Sequence, residues 1–559
     1  MSLDPTLIKT VHRFKFKTLR HDRAATWIPP ALNRTGVWLG MAGLTALFVV
    51  LGVINLDLGS TEAKLGLAAG EMLGPVGQVF GYWAPDLWPA RVFPSLVLGR
   101  LEAGGRPSPA AVRWPEAIAA IVVGWMIARR MCRQFGLRAG LLFGVCWFGG
   151  LALIDRSAGT GIDWIMGLAA VAAIDRLIAQ GSDWVAGLWA ALAFLAGGWP
   201  PLVVIALAVI VVGKPISKFS LGLVLPPVLT SIAWSVWTIQ ACSVELWAAA
   251  LTLPFTRKPD WSFCLSVLAL GLPWSPFSLL ALFRSVRESW RPEGRSWLNS
   301  WLLVTVASSI GATIVPGVSP AARLVVLAGL MIVTTLCLES AWARTLTDSS
   351  RLTFFIAFGG VFGAWLAVML YGSYVWNLAM PFYRPLGIIM TIMALGVGVL
   401  GMSALETRNS RRGLVTLMVI AVGLKLAHWG YYVPEWNYRY SQGPWGRAIG
   451  QWIPKKWVVY TFHDWQPDLA FFVKHPVRQL RSPHYLEYEG GHESKFVLLQ
   501  DSEYENWPDS APPVTLVAKF LDQSARERVL ARTAGPLPPP LGPNPLSFNA
   551  SRDNGVASE

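Results

Sequence analysis

Two carboxylates stand where a reaction at a membrane boundary needs them. Glu62 lies in "STEAKLGLAAGEML", Ser60 to Leu73, where Ser60 reads as an N-cap and places Glu62 in the first turn of a short helix. Asp163 lies in "DRSAGTGIDWIMG", at the point where an apolar run begins. A carboxylate so placed can act as general base on a hydroxyl or amine, an effect of about 10²–10⁴-fold in rate. Both residues also admit plainer roles. A first-turn glutamate complements a helix dipole, and an interfacial aspartate pairs with a neighbouring cation such as Arg156. Glu71, two to three turns beyond Glu62, reads as a solvated face residue. The cations of the same loops, Arg91, Arg100, Arg106, Arg113, Arg156, Arg257 and Lys258, can grip a phosphate through charge-assisted hydrogen bonds or serve as ordinary loop charges.

The elements that must position these groups follow from composition. Of 559 residues 53% are apolar and 14% charged, with a mean hydropathy of +0.45, too much hydrocarbon for one soluble core. Runs long enough to span a bilayer recur from Gly36 to Gly430, about 13 by that criterion, and then stop. They include 36–55, 138–154, 161–179, 262–284 and the short pair 184–198 and 200–213, divided by the helix-breaking "GGWPP". The net charge of +14 concentrates in alternate joints, so it reports topology rather than nucleic acid. With a cytoplasmic N-terminus, every inside joint is basic. The basic segment 1–35 is too long and charged for a cleavable signal, which makes the first span an anchor.

On this topology the first loop, 56–115, and the chain after 430 face the same external side of the cytoplasmic (inner) membrane. The loop carries two helical patches, 61–73 and 92–103, suited to a membrane surface. Residues 431–533 read as a small α/β domain: strands at "KWVVYTF", "VRQL" and "KFVLL", a helix at "PDLAFFV", a turn capped by Ser482, and two strands near 514–521 and 526–532. The Pro-rich stretch 534–559 lacks the apolar content to fold. The fold class is thus a polytopic α-helical membrane protein with a small C-terminal α/β extracytoplasmic domain. Five single cysteines read as core residues. There is no phosphate-cradling GxxxxGK[ST] and no HxxxH with a carboxylate, so neither an ATP-driven pump nor a zinc hydrolase is supported. No metal motif occurs, although an acidic pocket has the chemistry to hold a divalent ion.

The ordered motifs resemble the polytopic glycosyltransferases of the C superfamily, in particular the glycosyltransferase family 39-like group, whose relatives include protein mannosyltransferases and lipid A aminoarabinose transferases. "TEAKLGLAAGEML" falls where that family has a pattern like "DEARYALIAREML". "RRMCRQFGLRAGLLFGVCWFGGLALIDRSAGTGIDWIM" is similar to its "RRLFGRRAGLLAALLLA…SRxALTDxxL". "LPWS", Leu272 to Ser275, and "LAFFVKHPVRQLRSP" have counterparts as well. The resemblance runs from the first span to about residue 533. It implies a sugar donor carried on polyprenyl phosphate, other membrane lipid as surroundings, and a protein, lipid or glycan acceptor outside the membrane.

By the same resemblance Glu62 matches the Glu of the family's Asp-Glu pair, and Asp163 the acid at the start of the fourth span. Three positions depart from the pattern. Thr61 replaces the Asp of the pair, and a hydroxyl is no base near neutral pH. "DLWP" keeps Asp86 but lacks the lysine of a "DKPP"-like strip, and "SSIGATIVPGVSP" lacks the Lys and Tyr of another. Glu62 or Asp86 is then the base nearest to hand, and Arg91 the nearest cation. The alternative that these departures raise is a catalytically degenerate member acting as a membrane scaffold or lipid-glycan binding protein.

Overall fold

The computed structural model describes residues 34–50, 62–67, 92–95, 97–98, 108–154, 163–213, 221–241, 244–256, 258–439, 441–453, 457–462, 467–475, 477–480, 482–488, 494–521 and 527–534. The membrane block is helical: α1 Arg34–Thr45, α2 Pro109–Phe135, α3 Leu137–Phe148, α4 Trp164–Ile178, α5 Asp183–Gly197, α6 Trp199–Val211, α7 Leu221–Ala241, α8 Val244–Thr256, α9 Phe263–Leu270, α10 Arg295–Ile314, α11 Ser319–Trp342, α12 Asp348–Leu378, α13 Arg384–Glu406 and α14 Ser410–Ala427. Local chemistry sets several ends. Ser108 Oγ accepts from Ala111 N (3.2 Å) with Pro109 in the first turn, and α2 stops at Gly136, φ 105°. The "GGWPP" break lies between α5 and α6 at Gly198, φ 74°, as its glycines and prolines dictate.

Among the described residues seven helices are long and apolar enough to cross a membrane, and one bent pair passes the same test. The expected span 262–284 is bent in the middle: α9 and a 3-10 helix, Ser275–Leu282, meet at 110°. Pro273 lacks the N–H that would continue the ladder, and Ser275 Oγ donates to Leu268 O (2.6 Å), closing a carbonyl that the break leaves open. The expected span 138–154 stops at Gly149–Gly150 after α3 and resumes only as Leu151–Ile154. A helix that hydropathy reading did not separate, α8, fills the joint after α7. Four shorter apolar helices, Trp38–Val49, Leu137–Phe148, Asp183–Gly197 and Trp199–Val211, stand beside these among the described residues, where the sequence places further spans.

The bundle has an axis. In α11 89% of the most apolar window is buried, against 28% in α12 and α13. The outer helices instead expose Leu352, Ile356, Ile392 and Val399. Such a face is stable only against hydrocarbon, so the chain is a multi-pass membrane protein. Cys146 and Cys337 are buried as expected, whereas Cys264 lies exposed on the outside of α9.

After α14 the chain continues through a π turn, His428–Tyr432, into α15 Val433–Arg439 and α16 Gly443–Trp452. The C-terminal sheet follows, with β1 Val459–Thr461, β2 Val477–Gln479, β3 Phe496–Gln500, β4 Val514–Leu521 and β5 Glu527–Thr533, in the order β2-β1-β3-β5-β4. All five strands fall where alternation and turn residues place them. β1 runs parallel to β2 and β3, and α17 Pro467–Val473 supplies the β1–β2 crossover. The remaining pairs are antiparallel. Alternate side chains serve opposite faces: Val459, Phe496 and Leu530 pack with Ile449, Leu469 and Val473, while Tyr460, Val497 and Val529 pack with Leu486.

Close approach of α4 to α11 depends on a glycine. A Cβ on Gly167 would lie 2.4 Å from Leu324 Cδ2 and 2.6 Å from its Cβ. Gly167→Leu is expected to destabilise the bundle by about 1–3 kcal/mol through overpacking. Gly360→Leu, where nothing lies within 4 Å, should leave the unfolding midpoint in detergent unchanged. Equal midpoints for the two variants would refute this account of the contact.

Candidate active site

The site begins with a six-residue helix, 62–67, in the first loop. Its apolar side, Ala63 and Leu65, is buried against Val92, Val112 of α2, and Phe471 and Phe472 of α17. Gly66 permits this: a Cβ there would stand 2.5 Å from the Phe471 ring and 2.9 Å from Val112 Cγ2. The first loop, the head of α2 and the C-terminal domain therefore meet on one side of the bundle, as the sequence topology requires of loop and domain.

Glu62 projects from this helix onto Arg113 of α2. Arg113 Nε donates to Oε1 and Oε2 at 3.2 Å each, and Nη2 donates to Oε2 at 2.8 Å. The Arg113 side chain is 2% exposed and that of Glu62 30%. A guanidinium so enclosed forfeits several kcal/mol of hydration, which only a well-aligned carboxylate offsets. Arg113, one of the loop cations in the sequence, holds Glu62 here.

Asp163 is the N-cap of α4: its Oδ1 accepts from Met166 N at 2.9 Å, and the side chain is buried. That bond satisfies an end-turn donor and sets negative charge at the helix's positive end. One residue on, Trp164 N donates to Glu116 Oε2 (2.7 Å). Glu116 is one turn beyond Arg113 on α2, so the head of α2 holds the loop helix through Arg113 and the head of α4 through Glu116. Glu62 and Asp163 are thereby brought to the same end of the bundle. Glu116 was missed in sequence; its signal is an acid three residues after an arginine where an apolar run starts.

A third ionic group lies at this end. Asp260 Oδ2 accepts from Ser319 Oγ (3.0 Å) and Arg323 Nη2 (3.1 Å), and Oδ1 from Ser262 Oγ (2.8 Å). Burial is the largest single influence on this carboxyl and pushes its pKa up. The three donors and the Arg323 charge together outweigh burial and hold the pKa below the usual range. Arg323 adjoins Leu324, which packs on Gly167, one turn into α4, so the pair sits beside the Asp163 cap. Sequence reading missed Arg323, whose signal is a lone cation in the first turn of an apolar helix. Lys258 is exposed two residues before Asp260. Asp86, Arg91 and Arg156 lie outside the described residues. Among those described, no three His, Cys, Asp or Glu side chains gather in a way that could hold a metal ion.

No family profile matches the sequence, and no curated protein sequence matches it. Solved structures do match the fold. The crystal structure of ArnT from Cupriavidus metallidurans bound to undecaprenyl phosphate superposes with a TM-score of 0.68 at 14% identity, covering 91% of this chain and 100% of that one. Its apo state gives 0.66 at 15% identity, covering 89% and 98%. The arabinosyltransferase EmbB from Mycobacterium smegmatis gives 0.44 at 12% identity, over 88% of this chain and 46% of its own. The chain shares the fold of ArnT.

Two outcomes follow from the ion pairs. Glu62→Gln and Arg113→Met should each loosen the loop helix, by about 3 kcal/mol where a buried charge is left unmatched. The double variant should cost less than their sum, read as amide exchange across 62–67; additivity would show that the pair does not couple. For Asp260, a folded pKa below the unfolded one means a stabilising contribution present above the ordinary carboxylate range and lost as pH falls through the folded value. Asp260→Asn should therefore flatten the acid limb of the stability profile below about pH 4. An unchanged limb would remove Asp260 from that role.

Proposed function

We propose that this chain transfers a sugar from a polyprenyl-phosphate carrier to an acceptor on the external side of the cytoplasmic membrane. The observation that carries the reading is the Glu62–Arg113 junction, a half-open carboxylate on a buried guanidinium where first loop, membrane helices and C-terminal domain converge. It occurs in a fold shared along nearly the whole chain with a protein crystallised with undecaprenyl phosphate.

The reaction asks little covalent chemistry of the protein. An acceptor hydroxyl or amine attacks the anomeric carbon, the bond from that carbon to the phosphate oxygen breaks, and its electron pair leaves with polyprenyl phosphate. The acceptor's proton must go to a base. With Thr61 in place of a carboxylate, Glu62 takes that proton or positions the group that does, with Asp86 as the second acid of the loop. Asp163 keeps α4, and through Glu116 the head of α2, rigid around the reacting atoms. Arg91, Arg156 and Lys258 supply positive charge for the donor phosphate. The α/β domain, docked through Phe471 and Phe472, caps the site and controls acceptor access.

Protein in lipid nanodiscs should release free polyprenyl phosphate from one of a panel of polyprenyl-phosphate sugars offered with candidate acceptors. Glu62→Gln should cut that release by about 10²–10⁴-fold and leave the protein folded, and Asp163→Asn should also lose activity. Saturable binding of the same lipids without release by the wild type would replace this reading with that of a degenerate, lipid-binding protein.

A further inference from the structure

The opposite end of the bundle carries arginines of a different kind. Two interhelical turns there, α11 to α12 and α13 to α14, are built alike. Each preceding helix ends in a Schellman motif: Arg344 N donates to Ala341 O and Thr345 N to Ser340 O, while Arg408 N donates to Leu405 O and Asn409 N to Ala404 O. The left-handed position of the motif, which glycine fills most easily, is held by Arg344 (φ 59°) in one turn and Arg408 (φ 46°) in the other. An arginine at a helix C-terminus complements the dipole, which accounts for either residue by itself. It does not account for their convergence.

Both arginines line one concavity of about 290 Å³, together with Leu346, Arg351, Thr407, Asn409 and Ser410. Its parts are held in place. Arg351, in the first turn of α12, donates from Nη2 to the Arg408 carbonyl, which joins the two turns directly. Ser410 Oγ donates to Ala341 O (2.6 Å), and Asn409 caps α14 by accepting from Arg411 N (3.1 Å). The charges of Arg344 and Arg138 both bear on Arg411 just behind. Asp348 and Glu406 are the nearest acids in sequence, both exposed, and among the described residues neither forms an ion pair with Arg344, Arg351 or Arg408. Three arginines thus line one hollow at the positive end of α14, and among the described residues none of the three is ion-paired to a carboxylate. Like charges held together in this way define a site for an anion with several acceptor oxygens.

We propose that this hollow is a phosphate-binding site, taking the phosphate of an anionic lipid headgroup or of a soluble phosphate compound. It lies at the start of α14, which runs 18 residues, about 27 Å, before the chain turns toward the C-terminal domain, so it is distinct from the Glu62 site. Its occupancy clamps the two turns together and needs no sugar transfer.

The test uses the purified full chain in neutral detergent, titrated by calorimetry with inorganic pyrophosphate and with a short-chain phosphatidic acid. Saturable binding of pyrophosphate supports a soluble ligand, and binding of the lipid alone supports a headgroup. In either case Arg344→Gln/Arg408→Gln should weaken binding about tenfold. Arg284→Gln, at an exposed pair with Glu288, should leave it unchanged. Should the double variant fail to fold, Arg344→Gln alone, on an exposed side chain, should still weaken binding about threefold. Absence of saturable binding of both probes, or unchanged affinity in the arginine variants, would overturn the assignment.

Discussion

A guanidinium almost wholly enclosed at the head of a membrane helix is the constraint from which the external end of this protein follows. Arg113 must have a carboxylate, and the one that it meets is 51 residues away in the first loop. Holding Glu62 there seats the helix 62–67 so that Ala63 and Leu65 cover Val112, and the same surface receives Phe471 and Phe472. One ion pair therefore organises three parts of the chain. The arrangement also leaves one side of the Glu62 carboxylate accessible, which is what turns a structural contact into a candidate reactive group.

The two ends of the bundle manage charge in opposite ways. At the Glu62 end, Arg113 and Arg323 each meet a carboxylate, and Asp163 and Glu116 meet backbone donors at the head of α4. These four groups are matched internally, so they are positioned before any ligand arrives. At the other end Arg344, Arg351 and Arg408 converge, and among the described residues none of them is ion-paired to a carboxylate. A membrane protein can sustain this because exposed arginines at the water boundary keep their hydration until an anion replaces it. Between the ends, α11 is enclosed on nearly all sides and fixes the distance between the two sets.

Much of the architecture was legible in the residues because its causes are local. Apolar runs and basic joints reveal a multi-pass chain, since hydration of hydrocarbon and charge depends on composition alone. The five strands after residue 457 lie where period-2 alternation and turn residues put them, and "GGWPP" breaks the helix at Gly198. The resemblance carried by "TEAKLGLAAGEML", "LPWS" and "LAFFVKHPVRQLRSP" anticipated the fold, and two of those strings, from the first loop and from α17, prove to pack against each other.

What only the tertiary structure decided are the partnerships. "LPWS" is a visible string, but the 110° bend there needs Ser275 to close the Leu268 carbonyl as well as a proline to open it. Nothing in residue type says that Arg113 belongs to Glu62, that Asp260 reaches Arg323 across 63 residues, or that Arg344 and Arg408 open onto one hollow. Hydropathy and periodicity report each segment's preference for oil or water. The pairing of one charge with another depends on which helices lie side by side, and that is settled by packing over the whole bundle.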